Sequence, residues 1–298
     1  CRFGTDPDAR VSVVIPTRDR LDLLAPCVDS LYDKNDAERM EVLIVDNGSE
    51  EPDTRAWLAR MQERSNLRVI GAQGRFNWSW LNNLAIEVGT GKVFVFLNND
   101  TLSITDGWLD RLAEYALRAD AGAVGPLLLY PDGSIQHAGL VVGGGDLADQ
   151  LYRGIRPEFD DHAFVSPLLP RNVSAVTGAC MAVSRETLGQ VGRFDERFPV
   201  SGDVEFCLRA RGQGLVNIYA ADVALHHYES RTRAGQVDRD DLRRLAALVG
   251  RQMPRDPFYN PNLAGIAGVG RGGPAFALLH ADTGAEHLAD AATSAGQR

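Results

Sequence analysis

The stretch VSVVIPTRDR (residues 11–20) is a short β-rich run, stopped by Pro16 and followed at once by Thr17, Arg18 and Asp19. Such a run reads as a buried strand. Leu21, Leu24, Val28 and Leu31 then recur at helical spacing, so a helix follows. The same grammar repeats. Residues 41–45 form a second apolar run ending at Asp46-Asn47-Gly48, and Trp57, Leu58 and Met61 mark a helix that Pro52 helps to start. Residues 67–70 make a third, weaker strand. Leu81, Leu84, Ala85 and Val88 mark a third helix, stopped by Gly89 and Gly91. Residues 93–97 are a fourth strand, ending at Asn98-Asn99-Asp100.

Four strand-to-helix steps in about a hundred residues predict an α/β fold, a mostly parallel central sheet with helices on both faces. Ligands of such sheets bind beyond the carboxyl ends of the strands. The polar residues gather there: Thr17, Arg18 and Asp19, then Asp46 and Asn47, then Asn98, Asn99 and Asp100. One Asp after one strand is more often a turn former than a ligand contact. Several at neighbouring strand ends favour one shared crevice.

The composition narrows the function classes. The chain has 298 residues, 44% hydrophobic and 24% charged, enough for a full core in one large domain or two small ones. Its formal charge of -9 offers no basic field for tracking a nucleic acid backbone. The loop after the first strand is not GxGxxG and no Walker A loop occurs, which disfavours a dinucleotide-binding dehydrogenase and a P-loop ATPase. No run of about 18 apolar residues is present, so no spanning helix is expected, and no signal peptide is read at the start. A chain that begins at Cys1 without Met reads as a piece of a longer parent. Cys1, Cys27, Cys180 and Cys207 include no CxxC pair and are expected to be free thiols, the last three buried.

The second half changes grammar. Residues 122–129 read as a strand leading into the turn Tyr130-Pro131-Asp132-Gly133. Residues 145–172 are rich in Gly, Asp and Pro and read as a long loop over the site. His137 and His162 fall in or near it as further ligand contacts, with a surface position the simpler reading for His162. Residues 173–183 read as one strand broken by Gly178. A helix opens at Gly202, with Asp203 and Glu205 in its first turn, where capping alone would favour carboxylates. Residues 216–219 and 223–225 read as two short strands before His226-His227. Leu242, Leu245 and Leu248 line one side of a polar helix. Asp100 offers a hard oxygen ligand and His226 or His227 a nitrogen, a set suited to magnesium or manganese on a diphosphate. Asp203 could take a proton from a hydroxyl nucleophile.

Ten segments in order give the chain a resemblance. They are VSVVIPTRDR (11–20), VLIVDNGS (42–49), FNWSWLNNLA (76–85), FLNNDT (96–101), YPDGSIQHAG (130–139), VTGACMAVSR (176–185), GRFDERF (192–198), GDVEFCLRARGQG (202–214), HHYESRTR (226–233) and DPFYNPNL (256–263). Together they resemble the inverting nucleotide-sugar glycosyltransferases of family 2, which have the GT-A fold. YPDGSIQHAG and DPFYNPNL resemble a rhamnosyltransferase-like subgroup of bacterial surface polysaccharide synthesis. The resemblance implies a GT-A domain over 11–263. Within it, 11–129 would be the nucleotide-sugar half, 130–235 a smaller acceptor and catalytic half, and 236–263 a C-terminal helix and wrap. Residues 1–10 would be an extension and 264–298 a flexible tail.

The resemblance also implies roles. Asp203 would be the general base. Pro16, Thr17, Arg18, Asp46, Asn77, Asn82, Asn98, Asn99, Asp100 and Gly178 would line the donor, with Asp46 at the base. Asp100 and His227 would hold Mn2+ or Mg2+, His227 being preferred to His226 because Glu229 and Ser230 set the register. Asp195, Glu196, Glu205, Arg231 and Arg233 would serve the acceptor side, either arginine being placed to meet leaving phosphate charge. The donor would be a nucleotide-diphosphate sugar such as dTDP-rhamnose or a UDP-sugar, and the acceptor a saccharide or lipid-linked glycan. The expected location is cytoplasmic, with the inner membrane face reached through such an acceptor. The alternative is a non-catalytic saccharide- or nucleotide-sugar-binding domain of a larger assembly protein. Three positions depart from the family wording: Glu205 stands where a second aspartate is usual, Gly202 where Asn or Glu is usual, and Thr232 where the subgroup has Ser.

Overall fold

A computed structural model describes residues 9–143, 147–157, 166–228, 238–252 and 255–259. The first half alternates as the sequence predicts: β1 (Val11–Thr17), α1 (Leu21–Lys34), β2 (Met40–Asp46), α2 (Pro52–Met61), β3 (Leu67–Gly71), α3 (Trp78–Val88) and β4 (Val93–Leu97). The four strands are parallel, in the order β3-β2-β1-β4. Their apolar runs are nearly continuous because both faces are covered. Val13, Ile15, Val42, Ile44, Val95 and Leu97 share a core with Leu24 and Leu31 of α1 and Trp57 of α2. Val14, Leu43, Val45, Phe94 and Phe96 share the other core with Trp78 and Leu81 of α3.

The second half extends the sheet and adds a separate two-stranded sheet of β8 and β9: β5 (Thr101–Ser103), α4 (Trp108–Ala116), β6 (Ala121–Leu129), β7 (Ile135–His137), β8 (Leu140–Val142), β9 (Ala148–Gln150), β10 (Arg171–Val173), β11 (Cys180–Ser184), α5 (Arg185–Val191), α6 (Gly202–Gly212), β12 (Val216–His227) and α7 (Arg239–Gln252). The sheet order is β10-β12-β6-β11-β4-β1-β2-β3, with β5 on β12 and β7 on β6. β11 is antiparallel to β4 and β6, and β12 is parallel to β6. The mostly parallel α/β sheet with helices on both faces is therefore what forms.

Several local expectations are corrected. The stretch 145–172 is not one loop among the described residues: β9 pairs antiparallel with β8, and β10 begins at Arg171. Residues 173–183 are not one interrupted strand. β10 ends at Val173 and pairs with β12, whereas β11 starts at Cys180 and pairs with β4, so the chain between them crosses the sheet. The two strands expected over 216–225 are one, β12, with a bulge between Ala220 and Ala224. Ala220 pairs with Pro126 and Ala224 with the next residue, Leu127, so three extra residues lie on β12. An odd insertion inverts the side-chain alternation. Ile218 and Ala220 face the core under α1 before the bulge, and Val223 and Leu225 face it afterwards. On α7 Leu245 and Leu248 pack against the core as expected, Val249 is buried beside them, and Leu242 is exposed instead. Cys27, Cys180 and Cys207 are buried free thiols, and Cys1 lies outside the described residues.

At the amino ends of the strands, buried Glu41 ties three segments together. Its Oε1 accepts from Ser12 Oγ at 2.6 Å, Thr90 N at 2.5 Å and Thr90 Oγ1 at 2.9 Å, and Arg68 Nη2 lies 3.2 Å from Oε2. Burial alone would push this carboxyl up, but the Ser12 and Thr90 hydrogen bonds and Arg68 hold it below its ordinary value. Replacing Glu41 with Gln should cost about 1–3 kcal/mol in urea unfolding at neutral pH. A depressed carboxylate stabilises above its unfolded pKa of about 4.3 and loses that contribution as pH falls through the folded value. The gap between wild type and Glu41→Gln should therefore close below about pH 4.

Candidate active site

The carboxyl ends of β1, β2 and β4 meet as polar loops. Thr17 closes β1, and its buried Oγ1 accepts from Asn99 Nδ2 at 2.9 Å. Pro16 stands beside Val45. Asp46 closes β2, and its Oδ1 accepts from both Ser49 N (2.9 Å) and Ser49 Oγ (2.6 Å). Ser49 Oγ in turn accepts from Asp19 N at 2.8 Å, while Asp19 Oδ1 receives the amides of Glu50 and Glu51 at 2.7 and 2.8 Å. Gly48, at φ +79°, allows this turn. Asp19 and Arg20 are left-handed at φ 53° and 57°, a strained pair that these bonds hold in place. Asn47 is buried, and its amide reaches Ala72 O and Gly74 O, fixing the loop after β3. Arg18 lies on the rim, paired with Glu50.

The next group is built by β5 and β12. Their antiparallel register sets His227 opposite Thr101, next to Asp100. His227 Nε2 lies 3.1 Å from Asp100 Oδ1, and both side chains are buried. Asn98 Nδ2 lies 3.3 Å from the same Nε2. The other ring nitrogen, Nδ1, is 2.6 Å from Gln136 Oε1. Asp100 Oδ1 is a buried oxygen with no hydrogen-bond partner, and such atoms ask for a missing cation, proton or water. Adjacent ligands of an octahedral ion bound at about 2.1 Å stand about 3 Å apart, close to the separation found here. A carboxylate and one imidazole leave the remaining positions to a diphosphate and water, the usual arrangement for magnesium-type sites. The residues therefore fit a divalent cation. Among the described residues no cluster of three or more His, Cys, Asp or Glu could hold one alone.

Asp203 belongs to the second residue of α6 rather than to its cap, which is Ser201. Its Oδ2 accepts from Gly178 N at 2.6 Å and its Oδ1 from Val204 N at 2.8 Å. Two close approaches permit this. A Cβ on Gly178 would meet the Trp78 ring at 2.7 Å, and one on Gly202 would meet Ser79 Oγ at 2.1 Å. Gly202 thus departs from the family wording because the start of α3 occupies its side-chain space. Ser79 Oγ itself donates to Phe198 O at 2.7 Å.

Other expected residues do structural work in this structure. Asn77 caps α3 by accepting from Trp80 N and also donates to Glu196 O. Asn82 is fully buried and donates to Trp78 O. Glu196 Oε1 accepts from Asn83. Asp195 is bound by Arg197, whose hydrogen bonds hold that carboxyl below its ordinary value. Glu205 is buried against Arg209 at 2.8 Å. His226 turns to Tyr130 O at 3.2 Å. His137, a sequence candidate for ligand contact, is fully buried, with Nδ1 2.5 Å from Gln150 Oε1 and its pKa pushed down to about 4 by burial. Arg231, Arg233 and His162 lie outside the described residues. Sequence reasoning missed Gln136, Ser49 and Ser79. Gln136 stands inside YPDGSIQHAG, so the signal was present there without an assigned role.

Residues 12–192 match the profile of the family described as Glycosyl transferase family 2. The chain is 37% identical over 266 residues to the O-antigen biosynthesis protein RfbC of Myxococcus xanthus, covering 88% of this chain and 21% of that protein. It therefore spans about a fifth of that relative's length. It is 28% identical over 237 residues to the N-acetylglucosaminyl-diphospho-decaprenol L-rhamnosyltransferase of Mycobacterium tuberculosis, covering 70% and 71% of the two chains. The crystal structure of GalNAc-T7 with UDP, GalNAc and Mn2+ superposes with a TM-score of 0.65 at 15% identity, covering 82% of this chain and 48% of that one. The fold is of the GT-A type.

The contact between α3 and α6 is testable by a double-mutant cycle. Gly202→Ala should destabilise the protein by about 1–3 kcal/mol, the usual cost of overpacking. In a Ser79→Ala background most of that cost should vanish, because the nearest remaining Ser79 atom is 3.4 Å from the new Cβ. Equal costs in both backgrounds would show that the clash is relieved elsewhere.

Proposed function

The chain belongs to glycosyltransferase family 2, and we propose that it transfers a sugar from a nucleotide-diphosphate donor to a saccharide hydroxyl, with inversion and with a divalent metal. The observation that carries this reading is the buried, unpaired Asp100 Oδ1 facing His227 Nε2 at 3.1 Å, among the strand ends that would hold a nucleotide. Thr17, Asp46, Asn98 and Asn99 surround the donor position in this reading, with Asp46 turned to the nucleoside. Asp100 and His227 would hold Mn2+ or Mg2+. When bound, the ion neutralises charge on the departing diphosphate.

The chain's own residues supply the rest. Asp203 accepts the acceptor hydroxyl proton as that oxygen forms its bond to the anomeric carbon. The bond from that carbon to the diphosphate oxygen breaks, and its electron pair leaves with the nucleoside diphosphate. The amides of Gly178 and Val204 hold the Asp203 carboxylate in one orientation and leave it lone pairs for the incoming hydroxyl. The names of the two relatives support a rhamnose-type donor and a surface-polysaccharide acceptor, lipid-linked in the mycobacterial case. No helix among the described residues is long and apolar enough to cross a membrane, so a lipid-linked acceptor would be met at the membrane surface.

Two measurements test the reading. Calorimetry against UDP-, dTDP- and GDP-sugars should show one base bound tightly only with Mn2+, and Asp100→Asn should remove the metal-dependent part. Metal-independent binding that Asp100→Asn leaves intact would refute the metal assignment. Asp203→Asn should lower turnover about 10²–10⁴-fold while donor affinity stays within about threefold. Parallel loss of both would refute Asp203 as the base, and donor binding without turnover in wild type would favour the binding-module alternative.

A further inference from the structure

Gln136 is the side chain that decides what His227 can do. It is buried on β7, which pairs with the end of β6 while β12 pairs with the other edge of β6. Its amide meets His227 twice. Nε2 donates to the His227 backbone carbonyl at 3.4 Å, and Oε1 lies 2.6 Å from His227 Nδ1. A carbonyl oxygen can only accept, so the NH2 end of the amide must face it. Oε1 then faces the ring, so the proton of a neutral ring must sit on Nδ1. The lone pair consequently sits on Nε2, the nitrogen 3.1 Å from Asp100 Oδ1.

The neighbourhood agrees. Asn98 Nδ2, which can only donate, lies 3.3 Å from Nε2, as suits a nitrogen with a lone pair. Asp100 Oδ1 receives no hydrogen bond, as it would if Nε2 carried a proton aimed at it. Two lone-pair atoms thus face each other in a buried place, an arrangement that a shared cation satisfies.

We infer that Gln136 is a positioning residue that fixes the His227 tautomer and ring plane, so that Nε2 is presented beside Asp100 as a ready metal ligand. The inference rests on the metal reading of the site given above. Groups that orient a metal-binding histidine in this way typically change metal affinity 10–100-fold when removed.

The test uses the full chain with Gln136→Met, which keeps the length but offers Nδ1 only a weakly accepting sulfur, and Gln136→Glu, which keeps the oxygen acceptor. Nitrogen-15 spectra of the metal-free wild type should show the His227 proton on Nδ1, as should Gln136→Glu. Mn2+ binding in the presence of a nucleoside diphosphate, read by electron paramagnetic resonance, should weaken 10–100-fold in Gln136→Met and stay within about threefold in Gln136→Glu. A wild-type proton on Nε2, or unchanged Mn2+ affinity in Gln136→Met, overturns the role of Gln136. Unchanged Mn2+ affinity in His227→Ala overturns instead the metal reading on which it rests. The wild-type spectrum decides the tautomer even if a variant does not fold.

Discussion

The pairing of β12 with both β6 and β5 is the constraint on which the site depends. Asp100 and His227 are far apart in sequence, and nothing local brings them together. β12 runs parallel to β6 through the core and then antiparallel to β5, a three-residue strand that immediately follows Asp100. Tyr228 N then donates to Asp100 O at 2.9 Å, closing the join by backbone alone. Because these are ladder hydrogen bonds in a buried sheet, the separation of the carboxylate and the imidazole is set by register.

A second constraint acts beneath Asp203. Trp78, Phe96, Phe194 and Phe206 form a set of edge-on and tilted rings 4.7 to 6.2 Å apart. They join α3, β4, the 192–198 turn and α6 in one apolar block, and Gly178 and Gly202 let the backbone lie against Trp78 and its neighbour Ser79. The candidate base therefore rides on a helix whose first turn is held from below by aromatic packing. From α7, buried Asp241 adds contacts to the amides of Val200 and Ser201 at 3.3 and 3.5 Å. A carboxylate that must meet a hydroxyl within hydrogen-bond reach benefits from such a rigid support.

The first half of the fold was legible because its strands are covered on both faces and its helices carry clear apolar stripes. The second half was less so for a physical reason. β5, β7, β8, β9 and β10 are three residues each, too short to display a period; β5, β7 and β10 form on the edges of longer strands, and β8 and β9 pair with each other in a sheet of their own. Asp46 and Asp100 could be read from their place after strands. Ser49 and Asn47, which fix the loops, look like ordinary turn residues until their partners are known. Glu205, which the resemblance puts on the acceptor side, pairs with Arg209 one helical turn on, a contact that its charge alone did not reveal. Gln136 lay inside the YPDGSIQHAG segment but its role was not legible there, since a glutamine inside a short strand acquires its role only from the strand brought beside it.

The bulge of β12 has a wider meaning. A regular strand has one phase, and whichever face it buries at its start it buries at its end. β12 changes phase midway, so one strand serves the core with even-numbered residues first and odd-numbered residues later. His226 and His227 are chemically identical, and no property of either side chain tells them apart. The choice between them is made several residues upstream, by the number of residues that the chain spends in the bulge. Chain length, rather than residue type, selects the imidazole that this site receives.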